Sequence, residues 1–179
     1  MIYVFLANGF EEVEAICPVD IMRRANLSVT TVGIGGLQIT GSHGITVTAD
    51  IDEAKLDLND TDMIFLPGGM PGTLNLAAND TVKKAIKYAV ENDKYIAAIC
   101  AAPSILGEMG LLQGKEAICY PGFEDKLHGA TISKKRVVKD GKIITAAGMG
   151  VATDIGLCIV ETLVDPKTAN SLRAAVTYD

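Results

Sequence analysis

The sequence predicts an α/β fold: a flavodoxin-like, doubly wound, mostly parallel sheet with helices on both faces. Three observations predict it. Apolar, β-branched runs alternate with helical patterns along the chain, as βαβ units require. No repeat, low-complexity stretch or linker interrupts that alternation. The length of 179 residues suits a single domain spanning 1–179, since compact domains run to about 100–200 residues.

The elements follow in order. Met1–Leu6 (MIYVFL) is a first buried strand, broken by Asn8-Gly9. The acidic start 11-EEVE-14 opens a helix to about Arg24, because carboxylates favour the positive end of a helix dipole. Pro18 lies inside that pattern and predicts a kink. Leu27–Gly33 is a second strand and Gly35-Gly36 a turn. Gln38–Thr40 and Ile45–Thr48 form a small antiparallel excursion. Met63–Leu66 (MIFL) is another buried strand, ended by 67-PGGMPG-72. Asp80 is the expected cap of a helix over Thr81–Glu91. Tyr95–Ile99 is a central strand, with Cys100 directly after it and a helix over about Ala102–Met109. Ile118-Cys119 is read as the end of a further strand. Val137–Lys139 and Ile143–Thr145 pair around Asp140-Gly141, a strong hairpin signal. Ala152–Val164 is an apolar closing helix, and Pro166 starts a short last one. The total is six or seven strands.

Composition excludes several functions. Lys plus Arg is 16 and Asp plus Glu 22, for a net charge of -6. That balance gives no footprint for nucleic acid or an anionic membrane. The mixed run 134-KKRVVKDGK-142 reads as a solvated hairpin. No apolar run reaches the roughly 18 residues of a membrane span. The start MIYVFLANGFEE lacks the basic region of a secretory signal, so the expected location is cytoplasmic. Cys17, Cys100, Cys119 and Cys158 are scattered, and only two histidines are present. No metal site is expected from that set, and the default is four reduced thiols.

In doubly wound sheets, ligands bind beyond the carboxyl ends of the strands. Asn8–Glu14, Pro67–Gly72 and Cys100–Pro103 lie at such ends. Cys100, in 98-AICAA-102, sits between a strand and a helix among small neighbours. That is the pattern of a nucleophile elbow, although a small buried cysteine that merely packs well gives the same letters. A thiol at a helix N-terminus is expected to ionise more easily. Gly68-Gly69 lets backbone N–H groups approach a ligand, as an oxyanion hole needs, or simply makes a turn. Glu11 and Glu12 read as solvated carboxylates. Glu14 is flanked by Val13, Ala15 and Ile16. It is the carboxyl that could be drawn inward, kept protonated and used to shuttle a proton. Cys17 follows Glu14 by about one turn and could share its face. His43 and His128 read as ordinary surface histidines, and Cys158 as core.

Together, 9-GFEEVEAICPVDIMRRA-25, 66-LPGGMPGTLNL-76, 96-IAAICAAPSIL-106 and 140-DGKIITAAGMG-150 resemble the ThiJ/PfpI superfamily, in the branch of the parkinsonism-associated protein deglycase. The resemblance covers nearly the whole chain. It implies that Cys100 is the reactive cysteine and Glu14 the protonated glutamate bonded to it. It implies that Gly68, Gly69 and Ala101 supply oxyanion donors. It also implies a homodimer with the first helix near the interface, where Arg24 is a candidate contact. Two departures stand out. The protease-like branch carries a histidine directly after the cysteine, and here that residue is Ala101, so a peptidase is rejected. The deglycase branch carries a histidine just before a proline beside the site. In 119-CYPGF-123 that residue is Tyr120, a poor base near neutral pH.

Two functions are therefore expected as alternatives. One is a cofactor-free, cysteine-dependent enzyme acting on a small carbonyl substrate, an α-oxoaldehyde or its adduct. The other is a redox-sensing or chaperone-like protein whose Cys100 meets an oxidant and becomes a sulfinate. Neither uses a metal, nucleic acid or membrane partner.

Overall fold

The computed structural model describes residues 1–178. The strands are β1 (Ile2–Leu6), β2 (Val29–Gly33), β3 (Gln38–Thr40), β4 (Thr46–Thr48), β5 (Ile51–Asp52), β6 (Met63–Leu66), β7 (Tyr95–Ile99), β8 (Glu116–Ala117), β9 (Thr131–Ile132), β10 (Val137–Asp140) and β11 (Ile143–Ala146). The helices are α1 (Glu12–Arg24), α2 (Gly72–Ala78), α3 (Asp80–Glu91), α4 (Pro103–Glu108), α5 (Ala152–Leu163) and α6 (Pro166–Ala175). Seven strands form one sheet in the order β10-β11-β7-β6-β1-β2-β5. Every neighbour pair in it is parallel except the hairpin β10–β11.

Period-two alternation divides the sheet's side chains between two cores. Phe5, Ile64, Leu66, Ile96 and Ala98 pack on one face with Val82 and Ile86 of α3 and Ile105 and Leu106 of α4. Val4, Leu6, Phe65, Ala97, Ile99 and Ile144 pack on the other with Ala15, Val19 and Met22 of α1 and Ile155 and Ile159 of α5. Helices thus cover both faces, as the sequence predicts. The two strand runs Ile2–Leu6 and Met63–Leu66 are buried at every residue, because parallel strands in such a sheet touch helices on both sides. The accessible surface is 8061 Å², close to the roughly 8,300 Å² expected for a compact chain of this mass.

Several local expectations need correction. Asn79, not Asp80, caps α3: its side chain accepts from the Val82 N–H at 3.0 Å. Asp80 is already helical and faces Lys83. Ile118-Cys119 is not a strand of the sheet; it follows the short β8, which pairs only with β9. The Ile118 N–H instead goes to the Thr145 hydroxyl at 3.0 Å. Pro18 lies inside α1, as the pattern predicts. β5 and α2 went unread in the sequence, the first because two residues carry no periodicity and the second because its Gly-Thr-Leu-Asn start resembles loop.

The hairpin β3–β4 projects from the sheet and lies over the start of α1, through Gly9 N–H to Thr40 O at 2.8 Å and Ser42 N–H to Phe10 O at 2.7 Å. The loop after β6 meets the loop after β1: Glu11 N–H donates to Gly68 O at 2.9 Å, and Gly72 N–H to Gly9 O at 3.1 Å. The loop after β7 joins them. The three segments expected at the strand ends therefore meet there.

Candidate functional site

Cys100 turns the chain from β7 into α4 with φ of +64°. A non-glycine residue in that left-handed region costs of order 1–3 kcal/mol and persists only where its surroundings dictate it. They do so here from both sides. Its N–H donates to Ala146 O at 2.9 Å, and its carbonyl accepts from the Tyr120 N–H at 2.7 Å. Ala98, Ala101 and Ala102 around it are buried, so small side chains are required by space. The thiol itself is half-buried.

Glu14 comes from the first turn of α1 and is 1% exposed. Gly68 N–H donates to its Oε2 at 3.0 Å, while Oε1 is buried without a partner. Burial pushes its pKa up to about 7, against the opposing pull of the Cys100 thiol and of the Gly68 and Met149 N–H groups that face it. The inward, protonatable carboxyl expected from its apolar flanks is therefore present in the geometry.

The glycine pair is shaped by close approach. A Cβ on Gly68 would lie 2.5 Å from Glu14 Oε2 and 2.6 Å from Cys100 Cβ. Gly69, at φ +91°, would set a Cβ 2.2 Å from the Glu11 backbone nitrogen. No side chain fits either position. One expectation changes here: the Gly68 N–H is spent on Glu14, so it holds the carboxyl and is not a free oxyanion donor. The Gly69 and Ala101 N–H groups are the ones that face the Cys100 sulfur.

The electrostatics of the thiol also depart from expectation. Burial, then the charge on Glu14, push the Cys100 pKa up to about 12. α4 has only six residues, and the dipole of so short a helix does not offset burial and the neighbouring charge. A negative charge on either group disfavours one on the other. Protonation of Glu14 removes the second of these causes and so favours the thiolate, which the Gly69 and Ala101 N–H groups face.

The remaining candidates divide. Tyr120 is at the site: its ring borders Gly148, next to Glu14, and the residue is 52% exposed. Cys17 is not. It faces α5, with Sγ 3.4 Å from Thr153 Oγ1, because three residues along α1 carry it past the site. Arg24 lies on the outer side of α1 and pairs with Asp20 at 2.7 Å. Glu11 caps α1, accepting from the Glu14 N–H at 2.6 Å. Cys158 is only half-buried, and burial raises its pKa.

Glu12 corrects the expectation of a solvated carboxylate. It is buried and gripped by the β3–β4 loop. Its Oε1 accepts from His43 N–H at 2.8 Å, and its Oε2 lies 2.9 Å from His43 Nδ1. Burial alone would raise its pKa, but these bonds outweigh it and hold the value at about 2. His43 is accordingly not a lone surface histidine: Glu12 raises its pKa. Glu11, Glu12 and His43 place ligand atoms within 4.8 Å of one another, the spacing a cation would use. Their hydrogen bonds to Glu14 N–H and within the loop already engage the Glu11 and Glu12 oxygens. The sequence reading also missed Met149, whose N–H faces Glu14. Its segment, 146-AAGMG-150, was legible as a motif but not as part of the site.

Comparison with known proteins gives the family and the fold. Residues 1–162 match the model of the DJ-1/PfpI family. The chain belongs to that family. The Parkinson disease protein 7 homolog of Danio rerio is 36% identical over 177 residues, covering 96% of this chain and 93% of the relative. A Caenorhabditis elegans relative described as glutathione-independent glyoxalase DJR-1.2 is 31% identical over 164 residues, covering 90% of this chain and 87% of the relative. The solved structure of Toxoplasma gondii DJ-1, described as oxidized, superposes with a TM-score of 0.94 at 33% identity, covering 99% of this chain and 97% of that one. The family likeness extends to the flavodoxin-like sheet. Among the described residues, no helix is long and apolar enough to cross a membrane.

Proposed function

We propose that this protein is a cofactor-free, cysteine-dependent enzyme that converts α-oxoaldehydes, or their adducts, to 2-hydroxy acids. The observation that carries the reading is the buried Glu14 carboxyl, with one oxygen unpartnered, beside a strained half-buried cysteine. In this reading the Cys100 sulfur attacks the aldehyde carbon and forms a hemithioacetal. Its oxyanion meets the Gly69 and Ala101 N–H groups. Glu14 first gives its proton to that oxyanion; as the carboxylate it then takes the proton from the former aldehyde carbon and returns it to the adjacent carbon, while the hydroxyl proton passes to the neighbouring oxygen, giving a 2-hydroxy thioester. Water then releases the acid and restores the thiol. Tyr120 stands where the deglycase branch has a histidine, so Glu14 carries the proton transfers alone. The worm relative's description as a glyoxalase supports this reading.

The test is glutathione-independent conversion of methylglyoxal to lactate by wild type and Cys100→Ala. Turnover in the wild type that falls to background in the variant is the expected result. Full turnover in the variant would overturn the reading.

A second reading rests on a different observation. The N–H groups facing the sulfur would equally hold a sulfinate, and the superposable Toxoplasma protein is described as oxidized. In it, peroxide oxidises Cys100 in two steps. Absent turnover, with peroxide adding two oxygens selectively to Cys100, would favour this role.

A second copy is the proposed partner. Val13 and Ile16 are exposed on successive turns of α1, at 43% and 42%, and a dimer covering α1 would bury them. Sedimentation velocity of the wild type and of Ile16→Glu tests it, with a shift to monomer expected in the variant.

A further inference from the structure

Away from Cys100, a cleft of about 630 Å³ opens between β10, α5 and α6. That volume suits a small molecule, since such sites span roughly 300–1,000 Å³. Its walls carry Lys135, Arg136, Lys139 and Arg173 against Asp154 and Glu161, a net of +2 in a chain of net -6.

The individual pairings sharpen this. Arg136 and Asp154 satisfy each other at 3.3 Å. Arg136 also donates to Gly150 O at 2.7 Å, and Asp154 accepts from the Tyr178 hydroxyl at 2.7 Å. Lys135 turns to Glu116 at 3.0 Å. Lys139 and Arg173 have no carboxylate partner among the described residues. Each lies over a ring instead: Lys139 Nζ is 5.7 Å from the Tyr95 centroid, and Arg173 Cζ is 5.1 Å from that of Tyr178. A ring steadies a cation without cancelling its charge. The cleft therefore holds two uncompensated cations, one from the edge strand and one from the last helix. Thr162 and Asn170 in the same walls offer neutral donors. The uncancelled acid in the wall is Glu161.

We propose that this cleft binds a small organic polyanion, with one phosphate or carboxylate group on Arg173 and another on Lys139. None of its walls belongs to the Cys100 site, so the proposal stands whether or not the enzymatic reading does.

Calorimetric titration with sodium tripolyphosphate, and separately with citrate, tests it at about 25 mM and about 150 mM salt. Saturable binding of at least one probe at one site per chain is expected, weaker at the higher salt. The probe that binds more tightly tells phosphate from carboxylate. Lys139→Ala with Arg173→Ala should weaken binding by about tenfold or more, since a hydrogen bond to a charged group is worth roughly 1.5–3 kcal/mol. Glu161→Gln changes only a wall charge and should tighten binding, which keeps the test intact should the double variant misfold. The bound probe should also slow alkylation of Cys158, followed by peptide mass. Absence of saturable binding for both probes, equal binding by wild type and a folded double variant, or no gain from Glu161→Gln would overturn the proposal.

Discussion

Glu12 and Glu14 lie two residues apart on the first turn of one helix, both buried, yet their carboxyls are held at opposite ends of the scale. Glu12 has both oxygens occupied by the β3–β4 loop and stays ionised down to about 2. Glu14 has one N–H donor within hydrogen-bond distance, an unpartnered oxygen and a pKa near 7. The difference teaches that burial alone does not set ionisation. The supply of donors decides whether a carboxyl keeps its charge or its proton. One glutamate is a structural anchor, and its neighbour is left short of donors beside a thiol.

The comparison breaks first at catalysis. Glu14→Gln keeps the side-chain volume but removes the proton carrier. Turnover of methylglyoxal is expected to fall about 10²–10⁴-fold, against less than about tenfold for Glu12→Gln. Equal losses in the two variants would dissolve the distinction.

The next effect is on stability against pH. Glu14 has its folded pKa raised from 4.5 to about 7. Its contribution is therefore fully present below the unfolded value and is lost as pH rises through the folded one. Chemical denaturation should show wild type losing about 3 kcal/mol relative to Glu14→Gln between about pH 4 and pH 8, from 1.36 kcal/mol per unit.

Glu12→Gln comes third. It should cost about 1–3 kcal/mol near neutral pH, because it weakens buried hydrogen bonds to a charged group. The loss should appear as a lower denaturation midpoint, with the slope against denaturant unchanged.

His43→Gln should have the smallest effect, since the ring is exposed. The His43 pKa is raised by Glu12. Wild type should therefore exceed this variant in stability below about pH 6.5, and the advantage should vanish as pH rises through the raised value. Denaturation at mildly acidic and alkaline pH reads this directly.

Much of this contrast was hidden in the sequence, for a physical reason. The sheet was legible because period and composition are local: MIYVFL, MIFL and YIAAI announce buried strands without their partners. Cys100 was legible because an elbow needs small neighbours on both sides, and AICAA shows them. Glu14 could be singled out because its flanks are apolar. Glu12 has an equally local setting, but its fate is decided by residues 42–45, some thirty positions away. No periodicity reports such a pairing. Likewise Gly68 was recognisable as a close-approach glycine, whereas the direction of its N–H, toward Glu14, depends on how three loops meet. The Met149 N–H escaped notice because a backbone donor leaves no mark on residue type.

The most direct test is a ¹³C carboxyl titration of Glu12 and Glu14 in one selectively labelled sample of the whole protein. The expected result is a midpoint near pH 7 for Glu14 and a carboxylate signal for Glu12 that persists as far down as the fold survives. Midpoints for both near 4.5, or a Glu14 already ionised at pH 5, would contradict it.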